Sequence, residues 1–195
     1  MKTPGRLRLS AFFRAFLIQG SWNNRTMIGG GFAFATLPVL RHLFQDQPEE
    51  FQEAIQRHSE HFNAHPYLAN LALGASLRME EDGRDPEEIR RFKVAVRGPL
   101  GGLGDALIWA GWRPATVLAS IILALAGAPP WAVVACFLVL YNAGHLAIRA
   151  WGFRVGVELG SQVGDALRNV GFSRQADRLA RVSMFLLGGV VGLAM

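Results

Sequence analysis

The sequence predicts an all-α integral membrane protein, built from short, broken or re-entrant apolar helices and a cytoplasmic or interfacial helical part. Three observations lead there. Half of the 195 residues (51%) are hydrophobic, only 18% are charged, and the mean hydropathy is +0.22. From Pro114 to Ile148 there are 35 residues without Asp, Glu, Lys or Arg, whereas a soluble amphipathic helix carries charge on its outer face. The basic residues stand in short groups beside apolar runs, Arg6/Arg8, Arg90/Arg91/Lys93 and Arg174/Arg178/Arg181, as membrane flanks do. A soluble helical protein with a large apolar core is the competing expectation. The composition excludes a disordered chain, and the single cysteine, Cys136, excludes a disulfide framework or a cysteine-rich metal module. The dispersed cations do not form a phosphate-tracking stripe, so nucleic acid is not an expected partner.

Residues 1–97 read as an N-terminal amphipathic and polar helical part with one apolar segment (26–40), and 98–195 as a glycine-rich broken helix followed by membrane helices. In order, Leu9, Phe12, Phe13, Phe16 and Leu17 make an apolar stripe at helical spacing, interrupted by Arg14 as no secretory signal is. This helix lies in the membrane interface or docks on the protein's own core. Basic residues before the first apolar segment place the N-terminus in the cytoplasm. Pro48 with Glu49 and Glu50 starts an amphipathic helix expected to end near Ala64, before Pro66. Tyr67–Met79 is a second helix, capped at Gly83. Asp85-Pro86-Glu87-Glu88 starts a third, which Gly98-Pro99 should stop. The apolar legs Ala115–Ala128 and Trp131–Ile148 meet at a turn over Gly127–Pro130, and a last apolar run covers Val182–Met195.

Four groups of residues invite a chemical reading. His58, His61 and His65 would share the face of a continuing helix and could hold zinc or be ordinary hydrogen-bonded histidines; no metal is expected. Gly98-Pro99-Leu100-Gly101-Gly102-Leu103-Gly104-Asp105 lacks the Lys-Ser/Thr of a phosphate loop and reads as irregular backbone at membrane depth. Asp105 and Trp109 could offer a sugar a carboxylate and an aromatic face, or cap a helix and fill a core. Asn142, His145 and Arg149 line one helix face, for packing or for a ligand. No catalytic constellation stands out.

These motifs resemble subunit IID of the mannose/fructose/sorbose family of the bacterial phosphotransferase system. The first block is Phe16–Pro38, with Gln19, Gly20, Trp22 and Asn23. The second is Arg57–Glu81, with Phe62-Asn63 and Pro66-Tyr67. The third and most specific is Lys93–Pro114, with Gly98, Pro99, Gly104, Arg113 and Pro114. A looser fourth covers Leu140–Gly160. The resemblance implies a permease subunit of the bacterial inner membrane. With subunit IIC it would carry a sugar that is phosphorylated on entry by phosphoryl groups passed along cytoplasmic IIA and IIB. It implies no cofactor and no catalytic or phosphoryl-accepting residue on this chain. The expected sugar contacts are Asn63, His65, Asp105 and Trp109. Two departures stand out: members are longer at the C-terminus, and they carry an apolar residue at the place of Arg97. The first suggests an alternative, a shortened, non-transporting scaffold or regulatory subunit.

Overall fold

The structure, a computed structural model, describes residues 3–164, 167 and 171–195. Among these residues the regular elements are helices, α1 Gly5–Arg14, α2 Gly29–Leu43, α3 Pro48–Ser59, α4 Ala69–Glu81, α5 Pro86–Gly104, α6 Arg113–Leu125, α7 Pro130–Leu159 and α8 Phe172–Ala194. Two compact units result, Met1–Gly102 with Arg149–Ala166, and Leu103–Ile148 with Leu167–Met195.

In the first unit the core is built from Ile18, Phe32, Leu40, Phe62, Leu68, Leu71, Leu73, Leu77, Met79, Ile89 and Leu100, all essentially inaccessible to water. The small residues Ala11 and Ala15 and the following Ile18 are fully buried, so α1 docks on its own unit, and Arg8 adds an ion pair to Glu81. Leu9, Phe13 and Leu17 remain outside. α3 begins at Pro48 with Glu49 and Glu50 in its first turn, as expected, but it stops at Ser59 rather than near Ala64. Beyond Ser59 the chain pairs with another segment instead: Phe62 N–H donates to Thr26 O (3.2 Å) and Ile28 N–H to Phe62 O (3.1 Å). Burying Phe62 against Phe32, with ring centroids 4.8 Å apart, favours this pairing over another helical turn. α4 is closed by Gly83 at φ +64°, with Arg84 N–H donating to Met79 O, a left-handed end that glycine adopts without a Cβ clash. Asp85 then caps α5, its Oδ1 accepting from Glu87 N–H at 2.8 Å. α7 crosses α4 at backbone contact: a Cβ on Gly156 would stand 2.3 Å from Leu71 O, the close approach that small residues at i and i+4 (Gly152, Gly156) permit.

The second unit contains the charge-free stretch. Here the expectation that Gly98-Pro99 stops the helix fails. α5 continues through Pro99 to Gly104, and a π-helical segment, Asp105–Trp112, leads without a break into α6. The discontinuity is therefore a change of hydrogen-bond register, not irregular backbone. Pro114 follows one residue later, after Arg113; its ring would clash with the carbonyl four residues back in an α-helix, and the wider π turn relieves that crowding. Asp105 sits inside this continuous helix and makes no cap. The turn between the two apolar legs forms where expected, with Gly127 at φ +85°. α7 extends past Ile148 to Leu159. α8 packs on α6 and on the π segment, with Leu179 against Gly111. The continuous helices over 86–125 and 130–162 are long and apolar enough to cross a membrane. Trp131, Val134 and Val139 on α7 and Met184 and Phe185 on α8 are exposed, as helices solvated by lipid are.

Candidate functional site

The segment His61–Pro66 carries two of the expected sugar contacts and is fixed from several sides. On one edge it forms the backbone pairs with Thr26 and Ile28. Those residues end a tight turn that Asn23 organises: its Oδ1 accepts from Arg25 N–H (3.0 Å) and Thr26 N–H (2.9 Å), and its Nδ2 donates to Thr26 Oγ1 (2.8 Å). Met27 takes φ +55°, which a side chain with a Cβ adopts at a cost of about 1–3 kcal/mol. On the other side Arg97 donates to His61 Nδ1 (3.0 Å) and His61 O (3.3 Å), and Gly101 lies against the Asn63–Ala64 backbone. Gln19, Gly20, Trp22, Asn23, Asn63, Gly98 and Pro99 are all exposed. The sequence blocks at 19–27, 61–66 and 97–101 are thus joined by backbone and side-chain contacts within one unit.

Below this segment lies a buried charge network that the sequence did not announce. Arg57 and Glu80 form a bidentate pair, with Arg57 Nη2 2.8 and 3.0 Å from the two carboxylate oxygens, and His58 Nε2 lies 2.8 Å from Glu80 Oε1. Lys93 Nζ donates to Arg57 O at 2.6 Å and stands over the Phe32 ring, 5.0 Å from its centroid. Burial lowers the His58 pKa to about 4 against the pull of Glu80, so the neutral ring donates Nε2–H to the carboxylate. Burial alone would raise Glu80, but the hydrogen bonds from His58 and Arg57 outweigh it and hold the carboxyl below its usual range. The network ties α3, α4 and α5 together directly beneath the loop that bears Asn63. Its members are 22 to 36 residues apart, a separation that leaves no local pattern.

The three histidines do not share a face, because α3 ends before two of them. His58 meets Glu80 and His61 meets Arg97. His65 is buried, accepts Tyr67 N–H on Nδ1 at 3.2 Å, and has its pKa lowered to about 4 by burial and then by the Arg149 charge. Among the described residues no group of three or more His, Cys, Asp or Glu could hold a metal ion. Arg149 donates to Ala15 O (3.0 Å), at the end of α1, and lies between the rings of Phe16 and Tyr67, 4.7 and 4.8 Å from their centroids. It belongs to the first unit, while Asn142 and His145 belong to the second. Asn142 bonds back to Leu138 O, and His145 lies by Tyr141. Asp105 and Trp109 are also in the second unit. Asp105 is exposed, but the Arg113 guanidinium lies 5.0 Å from the centroid of the Trp109 ring and occupies one face of it.

Residues 5–194 match the PTS system mannose/fructose/sorbose family IID component. The chain is 31% identical to the mannose-specific EIID component of Escherichia coli K12 over 92% of this chain and 65% of that one. It is 28% identical to the fructose permease IID component of Bacillus subtilis over 93% and 67%, and 30% identical to the sorbose-specific EIID component of Klebsiella pneumoniae over 97% and 69%. The chain thus spans just under two thirds of the length of the E. coli relative. Among solved structures, a chain of the mannose transporter ManYZ in complex with Microcin E492 superposes with a TM-score of 0.77 at 30% identity, over 97% of this chain and 70% of that one. A second, described as a membrane protein, superposes with a TM-score of 0.86 at 30% identity, over 98% and 71%. The helices long enough to span a bilayer, the exposed apolar faces and the matched blocks agree: this chain is a membrane protein of the IID component family of the mannose/fructose/sorbose phosphotransferase systems.

Proposed function

We propose that the chain works as the IID subunit of a sugar permease in the bacterial inner membrane, alongside a IIC subunit. The sugar it helps to carry is phosphorylated on entry at the expense of cytoplasmic IIA and IIB. The observation that carries this reading is the family match over residues 5–194. The absence of a catalytic constellation in the sequence agrees with a subunit that positions substrate while others supply the phosphoryl group. Basic residues ahead of the first apolar segment favour a cytoplasmic N-terminus.

Sugar contact is assigned separately within each unit, to Asn63 with His65 in the first and to Asp105 with Trp109 in the second. Asn63 is exposed on a loop whose backbone is clamped on both sides, and a pre-organised loop recognises hydroxyls at lower entropic cost. His65 is buried and orients the loop through Tyr67 N–H. Asp105 is an exposed carboxylate at a π-helical segment, a helix irregularity that often marks function. The test is phosphoenolpyruvate-dependent sugar phosphorylation by membranes that contain the other phosphotransferase components, with and without this chain. Activity that requires the chain supports the permease. A chain that stays in the membrane and binds the IIB component without restoring activity on any hexose would replace this reading with the non-transporting scaffold.

A further inference from the structure

The outward face of α1 has no function in the reading above. Leu9, Phe13 and Leu17 are spaced four apart along α1 and the 3-10 turn after it, and 55%, 61% and 63% of their surfaces are exposed. The opposite face (Ala11, Ala15, Ile18) is fully buried, so the helix cannot roll to hide the row. Trp22 follows on the turn that Asn23 fixes and is 55% exposed. The cations around this row are unbalanced: residues 1–45 contain six Lys and Arg and no Asp or Glu. Arg8 turns inward to Glu81, whereas Arg6 and Arg25 are exposed, and Arg14 lies over the Phe34 ring at the edge of the same face.

We propose that α1 and its following turn form an in-plane anchor that lays Leu9, Phe13, Leu17 and Trp22 into the bilayer surface and holds anionic lipid headgroups with Arg6 and Arg25. This does not depend on the transport reading. An apolar row with half-buried Phe12 and Phe16 beside it, bordered by charge of a single sign, fits a basic interfacial helix. The core of a protein interface is instead a patch depleted of charge. Tryptophan at the end of the row suits the headgroup level, and arginine stems reach past apolar neighbours to a phosphate. The complementary partner is an anionic surface, which a phospholipid bilayer supplies continuously.

The test uses the full chain in lipid nanodiscs, with Cys136→Ala and a bimane label at Phe13→Cys; a label at Glu49→Cys on α3 serves as the aqueous reference. Discs are made of phosphatidylcholine alone or mixed with phosphatidylglycerol. In the mixed discs the Phe13→Cys label is expected to be quenched by headgroup-borne nitroxide and shielded from iodide. Each of Arg6→Gln and Arg25→Gln is expected to weaken that docking about fivefold. Shielding from both quenchers would mean that protein covers the face and would overturn the proposal. Access to iodide alone would overturn it as well. Equal lipid quenching in the two kinds of disc, unchanged by the arginine substitutions, would refute the recognition of anionic headgroups.

Discussion

Glu80 is the carboxylate on which two buried side chains converge. It accepts from Arg57 Nε and Nη2 and from His58 Nε2, and Arg57 is only 3% exposed. Glu80→Gln keeps the volume but leaves a buried guanidinium without a counter-charge. Breaking a buried pair from one side costs about 3–5 kcal/mol. For a chain of this size that corresponds to a fall in melting temperature of roughly 10 °C. The same logic predicts rescue. Arg57→Met with His58→Phe and Glu80→Leu removes the charge and every donor that needed the carboxylate, and Phe at 58 retains the stacking on Phe32. Replacing a buried ion pair by apolar groups of similar volume is often close to neutral, so the triple variant is expected to regain most of the lost stability. Thermal denaturation in detergent, followed by size-exclusion recovery after heating, reads both variants. A Glu80→Gln chain that melts within about 2 °C of the wild type, well under the shift expected of a broken buried pair, would refute the argument by showing that Arg57 reaches water when its partner goes.

Acid should destabilise the first unit well above the ordinary carboxylate range. His58 and His65 are held neutral with pKa values near 4 against 6.5 when unfolded. The unfolded chain therefore takes up protons first, and stability is full above pH 6.5 and lost as the pH falls towards 4. His58 alone accounts for about 3 kcal/mol of this, and the depressed Glu80 carboxyl acts in the same direction at still lower pH; a pH series of melting curves that stays flat from 7 to 4 would count against it. Gly156→Ala would put a Cβ 2.3 Å from Leu71 O and force α4 and α7 apart, at about 1–3 kcal/mol. Gly102→Ala meets nothing within 4 Å and should stabilise α5 by about 0.5–1 kcal/mol; the two melting shifts should have opposite sign. Asn63→Ala and Asp105→Asn are each expected to reduce sugar uptake while leaving membrane assembly unchanged. Wild-type uptake in either variant removes that residue from the proposed contact set.

Most of the helices were legible because their signals are local. The Pro48-Glu49-Glu50 start, the Asp85 cap, the Gly83 end and the Gly127 turn each depend on residues within one turn of chain, and the structure realises each of them. Two helix ends were misread for opposite reasons. α3 was expected to reach Ala64, but Phe62 is better buried against Phe32, and that contact is invisible without the fold. α5 was expected to stop at Gly98-Pro99, but Gly98 has no Cβ to crowd the Pro99 ring and the chain stays helical through both residues, with the π-register falling just ahead of Pro114. Of the expected site residues, Asn63 is exposed and His65 buried, a difference set by how the loop packs and not by local spacing. Trp109 could not be read as partly covered until Arg113 was placed.

The sequence by itself determined that this is a helical membrane protein and which family it belongs to. Both follow from what each residue carries wherever it lies: a long stretch without charge, glycines and prolines at fixed spacing, cations beside apolar runs. Only the tertiary structure decided which polar groups answer one another. Glu80 is shared between Arg57 and His58, Lys93 reaches the end of α3, Arg97 holds His61, and Arg149 closes on the end of α1. Each of these contacts joins residues too far apart in the chain for any local spacing to encode them. For the buried groups among them, it is the cost of burying an unpaired charge, met only when the helices pack, that selects the partner.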